Sequence, residues 1–166
     1  MNQLIEEPKN WGEYPVCRNE KYNTLCKRFC KVGDEPDESV KIWSNFKEFM
    51  IFAAMVGFTK NKKEALSKNN IKISFRTYTN TSDDGYIYLL SLIEKNDTNQ
   101  LKDSGLKDVI STFEEYCNGG LSIIQTWIDE DPSDIDGIDT FYDKILEQLV
   151  KITPAKKNKK IEKPLF

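Results

Sequence analysis

The chain has 166 residues, enough for one domain with a core of its own and no need of disulfide or metal staples. Apolar residues make up 39%, aromatics 11% and charged residues 31%, a composition that folds rather than stays disordered. The net charge is −3 and there is no histidine, which excludes Ser-His-Asp and Cys-His catalysis, HExxH zinc sites and any histidine general base.

Residues 1–18 read as an irregular arm, with Pro8, Pro15 and the isolated aromatics Trp11 and Tyr14. The arm starts with neither a basic stretch nor an apolar run, so the expectation is a cytoplasmic chain without a secretory signal. The domain itself is expected over 19–152. Its first helix is predicted over 19–31, where Tyr22, Leu25, Cys26, Phe29 and Cys30 share one helical face. Zinc ligands pair as CxxC or close to it. Cys17, Cys26, Cys30 and Cys117 do not, so they are expected as buried free thiols with no bound metal. Gly33 to Glu38 (GDEPDE) is a polar loop.

Asn45, three residues before Glu48, marks the start of the strongest helix. Its second half is apolar all round, which predicts a central helix covered on most sides. The run Phe49 to Phe58 is the longest apolar stretch, far short of the ~20 residues a bilayer span needs. Gly57 is expected in the left-handed position that stops the helix, with Phe58 clamped after it. Thr59 to Lys63 follows as a basic loop.

Ile71 to Tyr78 alternates, with Ile71, Ile73 and Phe75 on one face and Lys72, Ser74 and Arg76 on the other. That pattern predicts a half-buried strand. Its mate is sought around 11–18, around 60–67, or on another chain. Ser82 and Asp83 start the next helix, with Tyr86, Leu89, Leu90 and Ile93 as its apolar stripe, and 96–104 is a polar connection.

From Leu106 the apolar register runs through 109, 110, 113, 117, 121, 124 and 128 without a reset at Asn118-Gly119-Gly120. Asn-Gly-Gly is an ordinary helix end, but the unbroken register predicts one helix over 106 to about 129. Two helical glycines cost about 1 kcal/mol each, and a close approach by a neighbouring element would offset that. Residues 132–143 imitate a calcium loop, with Gly137 at the obligatory glycine and Asp134, Asp136 and Asp143 at ligand positions. Pro132 stands at the first position and an Asp where a bidentate Glu belongs, so an EF-hand is rejected and a weak cation site left open. A last helix over 139–152 carries Phe141, Ile145, Leu149 and Ile152 on one side, and Pro154 stops it.

Residues 153–166 read as a Lys-rich flexible tail. From 151 onward there are six lysines and one glutamate, a charge of +5, against −8 for the rest. The tail is read as a solvated end, with DNA or an acidic partner as the alternative. An acidic body argues against nucleic-acid binding by the body itself. No P-loop and no GxGxxG is present. The one Glu-x-Lys of the nuclease kind is Glu7-Pro8-Lys9, where proline excludes a central strand. No cofactor is implied. The expected fold class is mainly α (α+β), about five helices around one central apolar helix with one or two short strands.

Three segments together resemble one family: RNEKYNTLCKRF at 18–29, FKEFMIFAAMVGFTKNKKEAL at 46–66 and FEEYCNGGLSII at 113–124. They are similar to the bacterial Dnd system-associated protein 4 family, in a matching order over about 18–150. The carriers are Phe52-Ala53-Ala54-Met55-Val56-Gly57-Phe58 with its basic loop, and Glu115-Tyr116-Cys117-Asn118-Gly119-Gly120-Leu121. The resemblance implies an accessory protein linked to DNA phosphorothioation, and so to restriction and anti-phage defence. It brings no catalytic residues.

Three readings follow. The first is a non-enzymatic adaptor that binds other proteins of the same operon. The second is a DNA-binding subunit or regulator, because a strand followed by two helices has the order of a ribbon-helix-helix unit. An enzyme of another type is the third and least supported. The candidate contacts to DNA or a partner are Lys60, Lys62, Lys63, Lys72, Arg76, Asn118, Gly119 and Gly120. Membrane association is not expected, and oligomeric state is open.

Overall fold

The computed structural model describes residues 10–33 and 41–152. Two strands, Pro15–Asn19 (β1) and Asn70–Ser74 (β2), pair antiparallel with Val16 opposite Ile73 and Arg18 opposite Ile71. The α-helices among the described residues are Asn23–Phe29 (α1), Phe46–Thr59 (α2), Arg76–Thr79 (α3), Asp84–Lys95 (α4), Leu106–Glu130 (α5) and Ile138–Ile152 (α6). The fold is mainly α with one small sheet.

The 25-residue α5 runs through the centre. It packs along α2 on one side, α4 on another and the strand pair at a third. Val109, Phe113, Cys117, Leu121 and Ile124 are fully buried in it, so the unbroken apolar register is the register of one helix. The start of α2 is as the sequence predicts. Asn45 Oδ1 accepts from the Glu48 amide at 3.0 Å, and Glu48 Oε2 accepts from the Ser44 amide at 3.1 Å.

Its end is not. Gly57 stays helical, and the left-handed residue that closes α2 is Asn61, at φ 50°. The Lys62 amide donates to Gly57 O at 2.8 Å and the Asn61 amide to Phe58 O at 2.9 Å, the paired bonds of a Schellman stop. Asparagine tolerates the left-handed region well enough to close the helix, and Gly57 is needed for a different purpose.

Other boundaries also moved. The described part of the 1–18 arm is structured: Trp11–Glu13 is a 3-10 turn and β1 follows at once. β1 is the mate of the predicted strand, in the same chain. That strand is shorter than predicted. Phe75 turns to helical angles (φ −56°, ψ −30°), and α3 then carries Tyr78 into the core beside Phe75. The predicted helix over 19–31 becomes a 3-10 turn at Glu20–Tyr22 followed by α1, because Asn19 is held extended in β1. All of Glu35 to Glu38, Glu7-Pro8-Lys9 and the basic tail lie outside the described residues.

Both amphipathic helices at the edge of the core differ from their predicted stripes. Helix α4 buries Ile87, Leu90 and Ser91, while Tyr86, Leu89 and Ile93 of the predicted stripe are exposed. Helix α6 is anchored at one end by Phe141, whose ring lies 5.0 Å from that of Trp43 and 5.1 Å from that of Phe29. Farther along, Ile145 and Leu149 are exposed.

Candidate functional site

The predicted contact residues divide into two groups. Lys60, Lys62 and Lys63 come together with Asn118, Gly119 and Gly120, because the loop after α2 lies over the middle of α5. Lys72 and Arg76 stand apart, both exposed, on β2 and at the start of α3.

At the first group, two helix backbones and a loop meet without side chains between them. A Cβ on Gly120 would sit 1.7 Å from Ala53 O, and one on Gly57 would sit 2.1 Å from Tyr116 O. A Cβ on Gly119 would sit 2.0 Å from Lys62 O in the loop. The close approach inferred from the register therefore exists, and the chain's own α2 and basic loop supply it. These glycines are core contacts covered by the same chain. Neither they nor Asn118, which is fully buried, offer a surface to DNA or to a partner.

Asn118 has a structural task that the sequence alone did not reveal. Among the described residues no third strand lies beside the outer edge of β1, so its amides need other acceptors. Glu114 and Asn118, one turn apart on α5, supply them. Glu114 Oε1 accepts from the Cys17 amide at 2.6 Å and Asn118 Oδ1 from the Asn19 amide at 2.8 Å. The Asn19 side chain in turn bonds Glu64 Oε1, Ala65 O and the Ser67 amide, which ties the loop before β2 to β1. Asn118→Ala leaves the Asn19 amide buried without an acceptor, and a loss of about 1–3 kcal/mol is expected in urea denaturation. Unchanged stability would show that the edge is satisfied without Asn118.

The lysines of the loop differ in availability. Lys63 is engaged: its ammonium pairs with Glu94 and Glu115 and lies 4.7 Å from the Tyr116 ring centre. Lys62 Nζ donates to Ser122 Oγ at 2.9 Å, and Lys60 is exposed. Burial works against the Glu64 carboxylate, but donation from Tyr22, Lys21 and Asn19 holds it below its ordinary value. Lys63 and Tyr116 do the same for Glu94.

The chemistry inside the fold is quiet. All four thiols are free and buried. Burial pushes Cys17 and Cys30 up to about 12 and Cys26 up to about 11, so they are neutral thiols at pH 7. Arg18 is a buried guanidinium on β1: Nη2 donates to Asn23 Oδ1 at 3.1 Å, and the group lies 5.1 Å from the Phe46 ring centre. Among the described residues no group of three or more His, Cys, Asp or Glu could hold a metal ion. Asp134 of the calcium-like segment is engaged otherwise, accepting from the Thr140 amide at 2.7 Å in the first turn of α6.

The surface feature that the sequence reading missed is on α6. Ile138, Tyr142, Leu146 and Val150 are exposed in addition to Ile145 and Leu149. Beside them an apolar groove runs between α2 and α6, lined by Phe52, Met55, Val56, Trp127 and Ile145 among others. A signal was present in the sequence: the apolar residues of α6 cover about 180° of its circumference, wider than the ~100° one docked stripe requires. No helix among the described residues is long and apolar enough to cross a membrane.

The model of a family described as DNA sulphur modification system-associated protein 4 matches residues 28–160. The match reaches into the basic tail, which the resemblance read from the sequence left outside. No curated protein and no solved structure matches the chain.

Proposed function

Because the chain belongs to the DNA sulphur modification system-associated protein 4 family, we propose that it serves such a system as a non-catalytic accessory subunit that works by binding other proteins. The observation that carries this reading is the α6 face, where Ile138, Tyr142, Leu146 and Val150 are displayed to solvent in one contiguous band. Monomeric proteins rarely leave such a band open unless something docks on it. Neutral thiols and the absence of histidine from the chain agree with a binding role rather than a chemical one. The acidic body suits a basic partner of the kind that handles nucleic acid, and the setting would be cytoplasmic DNA modification and anti-phage defence.

Direct DNA contact is the lesser reading. Its ribbon-helix-helix form needed β2 to pair with a second chain, and β2 is paired with β1 instead. The exposed Lys60, Lys72 and Arg76 keep a simpler electrostatic contact in play.

The test is co-expression of the tagged full chain with the products of its neighbouring genes, read by size exclusion with light scattering. A stoichiometric complex with one neighbour is the expected result. A chain that elutes alone as a monomer overturns the reading. A salt-sensitive shift of duplex DNA, lost in Lys72→Ala/Arg76→Ala, would replace it with the DNA-contact reading.

A further inference from the structure

We propose that the exposed face of α6 docks a helix of a partner protein that carries an apolar stripe with basic side chains along one flank. This rests on the accessory-subunit reading and specifies its surface and the chemistry of its partner. Tyr142, Leu146 and Val150 stand at i, i+4 and i+8, 64%, 42% and 67% exposed. Asp139, Asp143 and Glu147 repeat the same spacing one row farther round, and all three are exposed. Among the described residues no ion pair holds them. The apolar row therefore has the body of the protein on one side and a line of three unpaired carboxylates on the other.

A helix laid on Tyr142, Leu146 and Val150 brings its own flank within reach of those carboxylates. A basic flank is attracted along the whole contact, and an acidic one is repelled by like charge. The same row disfavours a second copy of this chain as occupant. In an antiparallel two-fold pair of α6 helices, like flanks face each other, and the three carboxylates would meet their own copies. Lys144 is drawn away to Glu130 of α5. Lys151 stands one turn beyond Glu147 and lines the same surface groove as Asp143, Leu146, Glu147 and Val150, so it closes the acidic row at its C-terminal end and leaves three carboxylates against one lysine along this flank.

The probes are two fluorescein-labelled model helices with the same Leu stripe, one flanked by Lys and one by Glu, titrated into the full chain and read by anisotropy. The Lys-flanked helix is expected to bind about tenfold or more tightly than the Glu-flanked one and to weaken with salt. Leu146→Asp should abolish binding at an unchanged melting temperature. The triple change Asp139→Lys/Asp143→Lys/Glu147→Lys should invert the preference between the two probes. Equal binding of both probes, or binding that survives Leu146→Asp, overturns the proposal. So does a dimer in light scattering that Leu146→Asp dissolves, which would make a second copy the occupant. Binding that appears only after deletion of residues 154–166 also overturns it, because the chain's own basic segment would then be the occupant. If Leu146→Asp still recovers the genomic neighbour in co-expression, this face is wrong and the accessory reading stands. If no neighbour is ever recovered, the accessory reading itself fails.

Discussion

Gly120→Ala is expected to lower the stability of the fold by about 3 kcal/mol or more, and at physiological temperature to leave much of the chain unfolded. Helix propensity alone predicts the opposite sign, a gain of about 1 kcal/mol for alanine over glycine inside α5. The added Cβ would stand 1.7 Å from Ala53 O and 2.5 Å from its carbonyl carbon. Both are backbone atoms of a helix interior, so neither can rotate aside. Relief requires α2 and α5 to move apart by more than about an ångström, which opens the packed interface on both sides of the crossing.

Gly57→Ala meets Tyr116 O at 2.1 Å in the same crossing and should behave alike, with the double variant costing less than the sum. Gly119→Ala meets Lys62 O at 2.0 Å, in a loop held by the Lys62 amide to Gly57 O and the Glu64 amide to Glu115 O, so it should also destabilise the fold, by less than Gly120→Ala because a loop and not a second helix is displaced. Urea denaturation of the three variants checks the ranking. A Gly120→Ala protein as stable as the parent would mean that the two backbones are not in contact.

Glu114→Gln is expected to raise stability above pH 7 by up to about 3 kcal/mol and to remove a pH dependence of the parent. Burial pushes the Glu114 carboxyl up to about 7, outweighing the Cys17 amide that donates to it. Its folded value therefore lies above the ordinary value of about 4.3 that applies in the unfolded chain. The stability contributed by the protonated form is fully present below about pH 4.3 and is lost as pH rises through about 7. Gln keeps an oxygen acceptor for the Cys17 amide and has no proton to lose, so its profile should be flat in that window. The carboxylates held low by their donors, Glu64, Glu94, Asp83 and Asp134, act in the other direction and at lower pH. Denaturation midpoints measured from pH 5 to 8 separate the two. A parent whose stability does not fall across this range would show that Glu114 is ionised in the fold at modest cost.

The Asn45–Glu48 helix start, the continuity of α5 through Asn118-Gly119-Gly120 and the half-buried alternation of Ile71 and Ile73 were all legible in the sequence. Each depends on residues within one or two turns of each other, and short-range periodicity records such relations directly. The family was legible for a related reason, since its recurring segments are the apolar and glycine positions of α2 and α5. What the partner face of each element would be was not. Gly57 carries the composition of a helix stop, yet it is spent on the backbone of α5, and Asn61 takes the stop. Helix α4 has two apolar rows of similar strength, and only the position of α5 decides that Ile87 and Leu90 go inside while Tyr86, Leu89 and Ile93 stay out. Asn118 and Glu114 look like ordinary helix-face polar residues until β1 is placed against them with an unpaired edge. The sequence by itself thus determined the start of α2, the unbroken register of α5, the alternation of β2 and the family. The tertiary structure decided which surfaces close on each other and which, like the outer row of α6, remain open, because burial is a property of two elements brought together and one helical period cannot encode its neighbour.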